Sequence, residues 1–404
     1  MDIATFEALR APTGVGADTL AAAVAGYGNV DEFALGTQLR REHPPELVAA
    51  ALTQARLRNR AVQKFAPADA ARMYFTVDGY EQATRAPVAA HRAERIATTL
   101  GSAAHVADLC CGIGGDLIEL TRAGLEVTGI EADTVTAAVC AANVHALGLG
   151  AHARVLEADA TARDLSPFAA VTCDPARRNA RGRTFDPHAY RPPWSFVEAL
   201  LADTACVKVA PGIPHARVPS GVEAEWVSDR GEVKEAALWS GAFVASACHR
   251  RATLLPTGAT LTDADDPGTA AVRAPGRYLY EPDGAVIRAG LVTAVAAMVG
   301  GWLLDSSIAY VASDQLVHTD FAHGYEIVDV LPYDDKALRR YVREHRIGAL
   351  TVKKRGVGVV PERLRATVKP RGEAAAIFVV TRAAGRAVVL VAQPLEPAKA
   401  GPAR

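Results

Sequence analysis

Hydrophobic residues recur along the middle of the chain as short apolar runs, and stretches with helical spacing separate these runs. Polar, glycine-rich turns follow several of the runs. Such alternation is typical of a doubly wound α/β fold with a parallel sheet. We predict strands at the start of 106–116 and at 125–130, 153–157, 169–173 and 206–210, with a terminal hairpin near 224–228 and 235–239.

Other patterns flank this α/β core. The first 85 residues are rich in alanine and predict amphipathic helices, such as one over 46–63. Residues 256–275 are rich in Pro, Gly and Asp, which predicts a turn-rich linker. The apolar stretch 289–304 predicts a buried helix, because it is too short to span a bilayer comfortably. We therefore divide the chain into a helical region, a core, a small α+β unit and a basic domain, at 1–85, 86–255, 276–324 and 325–396.

A glycine-rich turn with the sequence Asp-Leu-Cys-Cys-Gly-Ile-Gly-Gly follows the first strand of the core, at 108–115. Gly112 and Gly114 lack a Cβ, so a ligand can approach the backbone closely there. Asp108 precedes the glycines and suits a cationic aminoacyl group. A pyrophosphate would be repelled by this carboxylate, which disfavours a dinucleotide-binding fold.

Acidic residues also follow the next strands of the core. Glu131 comes about twenty residues after the glycine turn, where a carboxylate can accept both hydroxyls of a ribose. Asp159 follows the third strand, where it can accept from an adenine amino group. Asp174 follows the fourth strand and would face the reacting group of the ligand.

This ordered series resembles that of the Rossmann-like class I methyltransferases that use S-adenosylmethionine (SAM). The resemblance implies a seven-stranded methyltransferase sheet and SAM as the cofactor. Residues 76–84 are similar to the segment that covers the SAM pocket in this group, although a helix start at Thr76 or Asp78 explains part of that pattern. The implied cofactor-binding residues are Gln82, Thr84, Asp108, Cys110, Gly112, Gly114, Glu131 and Asp159.

The segment Asp-Pro-Ala-Arg-Arg at 174–178 is the candidate catalytic motif. Methyltransferases that act on exocyclic amines have Asn or Asp, two prolines and an aromatic residue, and this chain keeps only the first half. Asp174 and the backbone of Pro175 can still accept from an amine, and Arg177 and Arg178 can contact phosphates or stack on a base. We therefore assign Asp174, Pro175 and Arg177 to catalysis and Arg178 to substrate binding.

Two alternatives at this site remain open. Trp194 lies just downstream and can stack on a base in place of the missing aromatic residue, or pack in the core. Methylation of a uridine carbon would need a cysteine nucleophile, for which Cys173 and Cys206 are the nearest candidates. Both lie in strand contexts where a buried thiol is expected, so we favour a nitrogen acceptor.

The composition and charge of the chain also predict the kind of binding partner and the cellular compartment. The 404 residues carry a net charge of −1, but residues 325–404 have 16 Lys and Arg against 8 Asp and Glu, or +8, which leaves −9 for the rest. A basic module on an acidic enzyme favours a polyanionic partner. The six cysteines show no Cys-x-x-Cys spacing, and the amino terminus shows no signal sequence. We expect a cytoplasmic protein with no metal and no membrane partner.

A second resemblance covers 278–285 and 330–356, which are similar to bacterial methyltransferases with a ferredoxin-like unit and a THUMP-like domain. THUMP domains occur in RNA-modifying enzymes, so the resemblance implies a structured RNA as the partner, such as tRNA or rRNA. Lys353, Lys354 and Arg355 are then the candidate RNA-binding residues. Methylation of a protein or a small molecule, or non-catalytic RNA binding with SAM retained, are the alternative functions.

Overall fold

A computed structural model of the chain describes residues 1–177, 186, 189–244 and 248–395. The chain forms two compact units, of which the first comprises Met1–Val222 and Ala236–Ala245 and the second Glu223–Glu235 and Ser246–Arg404. Within the described ranges, we find no helix with the length and apolar character needed to cross a membrane.

The first unit begins with six helices, as the sequence predicted. Their starts follow local capping, since the side chains of Asp2, Asp31 and Thr76 each accept from a backbone N–H in the first turn. The fourth helix buries Val48, Leu52 and Ala55 at helical spacing, which packs one face of the helix against its neighbours. The six helices are α1 Ile3–Arg10, α2 Val15–Gly26, α3 Glu32–Leu39, α4 Pro45–Ala61, α5 Pro67–Ala70 and α6 Val77–Gln82.

A parallel sheet with helices forms the rest of the first unit. Its strands lie in the order β3-β2-β1-β4-β7, and residues 236–239 of β9 pair antiparallel with β7. The strands are β1 His105–Leu109, β2 Glu126–Glu131, β3 Ala153–Glu157, β4 Ala170–Cys173, β7 Ala205–Val209 and β9 Glu232–Trp239. The helices are α7 Ala86–Leu100, α8 Gly115–Arg122, α9 Thr134–Ala146 and α10 Trp194–Leu200.

This arrangement confirms the Rossmann-like α/β prediction and adds a detail that the sequence did not show. Strands β5 Ala176–Arg177 and β6 Tyr190–Arg191 pair antiparallel directly after β4. The carboxyl ends of β1, β2, β3 and β4 meet at one edge of the parallel sheet, which is where such folds bind their ligands. The core strands are buried, as in β1, where residues 106–109 are all buried.

The second unit contains a small set of strands and a larger sheet. In the small set, β8 Glu223–Asp229 pairs parallel with β10 Arg250–Leu255, which pairs antiparallel with β11 Ala259–Thr262. Strand β11 lies within 256–275, so the prediction of a linker there is correct only in part. Gly258, with φ of +73°, turns the chain between β10 and β11, and Leu261 of β11 is buried.

The larger sheet has seven strands within the described ranges, in the order β13-β14-β12-β15-β18-β17-β16. The strands are β12 Tyr278–Pro282, β13 Trp302–Asp305, β14 Ile308–Ser313, β15 Ala322–Pro332, β16 Ile347–Lys354, β17 Ala374–Ala383 and β18 Arg386–Pro394. Because β15 pairs with both β12 and β18, the α+β unit at 276–324 and the basic region after it share one sheet. We had expected two separate units.

Among the residues that the structure describes, four helices accompany these strands, namely α11 Gly284–Ala289, α12 Val292–Met298, α13 Asp335–Glu344 and α14 Pro361–Val368. The prediction of a single helix over 289–304 is wrong. Gly290, with φ of +71°, ends α11, and Gly300, with φ of +59°, follows α12 before β13 begins. Two glycines in the left-handed region divide an apolar stretch that hydrophobicity alone could not divide.

Candidate active site

The candidate site lies at the carboxyl edge of the parallel sheet in the first unit. Asp108 is near the end of β1, Glu131 ends β2, and Asp174 directly follows β4. The backbone N–H of Asp174 donates to the carbonyl of Leu109 over 3.2 Å, so the ends of β1 and β4 are joined at this point. The fold therefore brings together three acidic residues that the sequence placed after separate strands.

Asp108 carries a buried carboxylate with one oxygen left without a partner. The residue is 3% exposed, and its Oδ1 accepts from Thr172 Oγ1 over 2.8 Å. Its Oδ2 is buried and has no hydrogen-bond partner in the described part of the chain. Burial raises the pKa of Asp108 to about 6. A buried carboxylate oxygen is costly to leave unpaired, so this oxygen suits the ammonium group of a ligand.

The glycine turn after β1 has the backbone shape that such a ligand needs. Cys110 and Gly112 both have φ of +56°, and Gly114, with φ of +93°, precedes the first turn of α8. A Cβ at Gly112 would meet no heavy atom within 4 Å, so the turn borders open space there. A Cβ at Gly114 would come within 3.0 Å of Cys140 Sγ, so that glycine is also needed for packing.

Glu131 and Asp159 lie beyond the next two strands. Glu131 Oε2 accepts from the backbone N–H of Gly112 over 3.0 Å, which links the end of β2 to the glycine turn. Its Oε1 accepts from the N–H of Asp133, also over 3.0 Å. Asp159 is exposed, and hydrogen bonds from the backbone and hydroxyl of Thr161 lower its pKa. Both carboxylates stay accessible enough to accept from ligand hydroxyl or amino groups.

A second polar cluster, which we call the brace, consists of Arg92, Asp116, Thr84, Lys208 and Asp174. Thr84 Oγ1 donates to Asp116 Oδ2 over 2.8 Å, and Arg92 donates to Asp116 Oδ1. Lys208 Nζ donates to Thr84 Oγ1 over 2.5 Å and pairs with Asp174. The hydroxyl of Thr84, a residue that the resemblance assigns to cofactor binding, is thus held by protein groups.

The sequence reasoning missed Arg92 and Asp116. Arg92 stands in the apolar stripe of α7 together with Val88, Ala89 and Ile96, all of which are buried. A cation at such a position needs a buried anion, and this was the signal available in the sequence. Asp116 lies in the first turn of α8, where a carboxylate is also favoured by the helix dipole.

Lys64 fixes the backbone of residues 80–83, which come directly before Thr84 in the sequence. Its Nζ donates to the backbone carbonyls of Tyr80, Glu81 and Ala83 over 2.7, 2.8 and 2.9 Å. Burial lowers the pKa of Lys64 to about 8. Gln82, which we had assigned to the cofactor, is exposed at the end of α6.

The residues that the sequence assigns to catalysis and substrate binding differ in their burial and contacts. Pro175 is buried, and the backbone of Arg177 pairs with that of Tyr190 in β5 and β6. The side chain of Arg177 and the whole of Arg178 lie outside the described structure. Trp194 is 9% exposed, and its indole N–H donates to Glu198 Oε1 over 2.9 Å. Its burial favours the packing interpretation of this residue over base stacking.

Cys173 and Cys206, the alternative nucleophiles, are both buried. A hydrogen bond with Cys110, followed by burial, raises the pKa of the Cys173 thiol well above its usual range. A thiol with a raised pKa supplies little thiolate near neutral pH. The setting of Cys173 therefore disfavours a covalent mechanism through that residue.

The predicted basic cluster of the second unit is partly engaged within its own sheet. Lys353 Nζ lies 2.5 Å from Glu281 Oε2, and an Arg355 nitrogen lies 3.6 Å from Glu281 Oε1. Burial lowers the pKa of Lys353, but hydrogen bonds to Glu281 and Tyr325 outweigh this and raise it overall. Lys354 alone among the three predicted cations is exposed.

Helix α13 presents further cations that the sequence analysis did not single out. Lys336, Arg340 and Arg343 are exposed, and their spacing of four and three residues places them on one face of the helix. None of the three has an ion-pair partner among the described residues. The opposite side of α13 buries Leu338 and Val342 in the core of the second unit.

Comparison with protein families gives two matches. Residues 322–394 match the family described as THUMP domain-like. Residues 2–61 match a domain family of unknown function. The first match covers β15 to β18 together with α13 and α14, in agreement with the sequence-based THUMP-like prediction.

Two similar proteins come from Mycobacterium tuberculosis strains CDC 1551 / Oshkosh and H37Rv, and each is described as an uncharacterized S-adenosylmethionine-dependent methyltransferase. Each is 37% identical over 316 residues, covering 76% of this chain and 84% of the relative. A 23S rRNA (uracil(1939)-C(5))-methyltransferase from Acidithiobacillus ferrooxidans is 40% identical over 65 residues, which are 16% of this chain and 15% of that protein.

Among solved structures, a crystal structure from Porphyromonas gingivalis W83 that is described as a methyltransferase matches with a TM-score of 0.73. The match covers 94% of this chain and 99% of that one, at 21% sequence identity. At this identity the likeness shows that the fold is shared.

We expect replacement of Glu131 by alanine to weaken S-adenosylhomocysteine binding at least tenfold, about 1.4 kcal/mol, because charge-assisted hydrogen bonds to the ribose are lost. Isothermal titration calorimetry checks this. Glu126→Ala removes a half-buried carboxylate at the opposite end of β2, where it pairs with His152, and serves as the matched control, with no expected change. Equal affinity of Glu131→Ala and wild type would remove Glu131 from the ribose site.

We also expect S-adenosylhomocysteine binding to weaken about tenfold between pH 7 and pH 5. Asp108 is ionised above its pKa of about 6, and below it the ammonium group must compete with a proton on this carboxylate. The same titration with Asp108→Asn should be flat over this range, since the variant cannot ionise. A wild-type affinity that is constant from pH 7 to pH 5 would contradict the pairing of Asp108 with the ammonium group.

Proposed function

We propose that this chain, which belongs to the family of S-adenosylmethionine-dependent methyltransferases, transfers a methyl group to a base of a structured RNA. The observation that carries the RNA assignment is the THUMP domain-like match at 322–394, in a region that also carries exposed cations without an ion-pair partner in the described part of the protein. The rRNA methyltransferase from Acidithiobacillus ferrooxidans supports it over a short stretch. We propose tRNA or rRNA as the RNA class.

The residues at the carboxyl edge fit the cofactor. Asp108 Oδ2, a buried oxygen without a partner among the described residues, would accept from the ammonium group, and the open space at Gly112 would admit the methionyl part. Glu131 would accept from the ribose hydroxyls, and Asp159 from the adenine amino group. Cys110 and Gly114 would shape the turn around the methionyl part. When bound, SAM supplies a methyl group on a cationic sulfur, which is already activated for transfer.

The protein's own contribution to the reaction is then alignment and proton acceptance. Asp174 leaves its Oδ1 without a partner among the described residues, at the edge of the sheet next to Asp108. This oxygen and the carbonyl of Pro175 would accept hydrogens from an acceptor nitrogen and hold it for in-line attack. We propose that Arg177 contacts the substrate beside them.

A nitrogen acceptor fits this site better than a carbon acceptor. Carbon methylation of a uridine requires a thiolate that adds to the ring, and Cys173 is buried with a raised pKa. A nitrogen acceptor needs only hydrogen-bond acceptors, which Asp174 and Pro175 provide. The base would have to leave its stack to reach them, as in other enzymes that modify bases.

The RNA-binding surface that we propose is the exposed face of α13, with Lys336, Arg340 and Arg343, together with Lys354. Free cations bind phosphates without first breaking a protein ion pair, which favours these residues over Lys353 and Arg355. The latter two pair with Glu281, so they would contribute to RNA binding less than their sequence position suggested.

We expect Asp174→Ala to abolish methyl transfer and to leave S-adenosylhomocysteine binding within twofold of wild type, because the acceptor loses its partner and the cofactor keeps its own. The assay uses labelled SAM with separated RNA, protein and small-molecule fractions from cells that lack the gene. Label should enter RNA with wild type only. Label in protein or metabolites, or in no fraction, would overturn the proposal, and unchanged turnover of the variant would remove Asp174 from the mechanism.

We expect the triple change Lys336→Ala, Arg340→Ala and Arg343→Ala to weaken RNA binding and to flatten its dependence on salt. Each lost phosphate contact should reduce the slope of log affinity against log salt by about 0.7 to 0.9. Filter binding across a salt series measures this. The matched control, Arg10→Ala, Arg40→Ala and Arg41→Ala, removes the same charge from exposed positions of the first unit and should change the slope little. Equal effects of both triples would exclude α13 as the specific surface.

A further inference from the structure

Lys208 belongs to the brace, in which hydrogen bonds and ion pairs form a continuous network that ends at Asp174. The network runs from Arg92 through Asp116 and Thr84 to Lys208. The side chain of Lys208 is 12% exposed, whereas that of Asp174 is 40% exposed. The buried groups of the brace therefore hold the accessible carboxylate of Asp174 at the candidate site.

The three donors of the Lys208 ammonium group match three acceptors. Its Nζ lies 2.5 Å from Thr84 Oγ1 and 3.5 Å from Asp116 Oδ2, and it donates to Asp174 Oδ2. An ammonium group has three N–H donors, so this set uses its hydrogen-bonding capacity fully. No donor of Lys208 is left for a further ligand unless one of these bonds breaks.

The part of the brace formed by Arg92 and Asp116 is rigid because the charges of both residues are buried and paired. Arg92 and Asp116 form an ion pair in which both side chains are at most 11% exposed. Removing one partner of such a pair is costly, so Asp116 stays in place and fixes Thr84 and Lys208 in turn. The position of Lys208 Nζ is then set by the protein and needs no substrate.

We infer that Lys208 is a positioning residue, which orients the carboxylate of Asp174 so that Oδ1 faces the acceptor atom. The inference rests on the proposed role of Asp174 as the group that accepts from the methyl acceptor. Lys208 binds Oδ2 and so restricts rotation of the carboxylate. A fixed acceptor oxygen lowers the entropic cost of aligning the substrate.

The first measurement is the crystal structure of Lys208→Met next to that of wild type, both without substrate. Methionine has a similar length but no donors, so the Asp174 carboxylate should adopt several orientations in the variant and one in wild type. Lys234→Met is the matched control, since Lys234 pairs with the exposed Glu232 and should leave Asp174 unchanged. A single, wild-type orientation of Asp174 in Lys208→Met would overturn the inference.

The second measurement compares turnover at saturating SAM and RNA with S-adenosylhomocysteine affinity. We expect Lys208→Met to lower kcat at least tenfold with affinity within twofold, and Lys208→Arg to recover part of the loss. In an Asp174→Asn background, Lys208→Met should cause no further loss, because the two residues act as one unit. If Lys208→Met does not fold, Lys208→Gln, which keeps a donor for Thr84, replaces it with the same expectations.

Other outcomes overturn specific parts of this account. A tenfold loss of S-adenosylhomocysteine affinity with kcat unchanged would make Lys208 a cofactor ligand. Additive losses in the double variant would give it a purely structural role. If wild type labels no RNA while the Asp174 carboxylate still loses its orientation in Lys208→Met, the proposed function fails and the positioning role stands.

Discussion

The candidate active site depends on one constraint, which is that the carboxylate of Asp108 is buried at the end of a strand with one oxygen unpaired among the described residues. Burial of a charge without a partner costs free energy, and the raised pKa of Asp108 reports this cost. A cationic ligand at this point would remove the cost. The neighbouring turn at Gly112 leaves the space that such a ligand would fill, and Glu131 links that turn to the next strand.

Two other carboxylates, those of Asp116 and Glu281, are paired within the protein, and the contrast with Asp108 separates a candidate binding group from structural ones. Asp116 is also buried, but Arg92 and Thr84 both donate hydrogen bonds to its carboxylate. In the second unit, Glu281 is satisfied by Lys353. Asp108 and Asp174 each keep one oxygen without a partner among the described residues, and we propose that these oxygens accept from ligands, whereas Asp116 and Glu281 fix structure.

The sequence predicted the parts of the fold and site that depend on local patterns. The glycine turn, the acid after each strand and the strands of the parallel sheet all follow from short segments, and so were found. Contacts between distant segments were not predictable in this way. The ion pair of Arg92 with Asp116 joins two helices, and the pair of Lys353 with Glu281 joins strands 72 residues apart.

Because the sequence reasoning used local patterns only, it also misplaced the boundaries of some helices and units. Residues 289–304 are apolar throughout, and only the conformations of Gly290 and Gly300 divide them. Strand β15 joins the two predicted units of the second half because it pairs on both sides, which a single segment cannot reveal. Exposure of cations on α13 likewise depends on which face of that helix the sheet covers.

The most direct test of the central claim, methylation of an RNA base at the carboxyl edge of this sheet, is nucleoside mass spectrometry of RNA from cells with and without the gene. The account predicts that one N-methylated nucleoside is absent from the deletion strain, and that purified protein with SAM restores it to that RNA. Identical nucleoside profiles in the two strains, with no methyl group added to deletion-strain RNA by the purified protein, would contradict it.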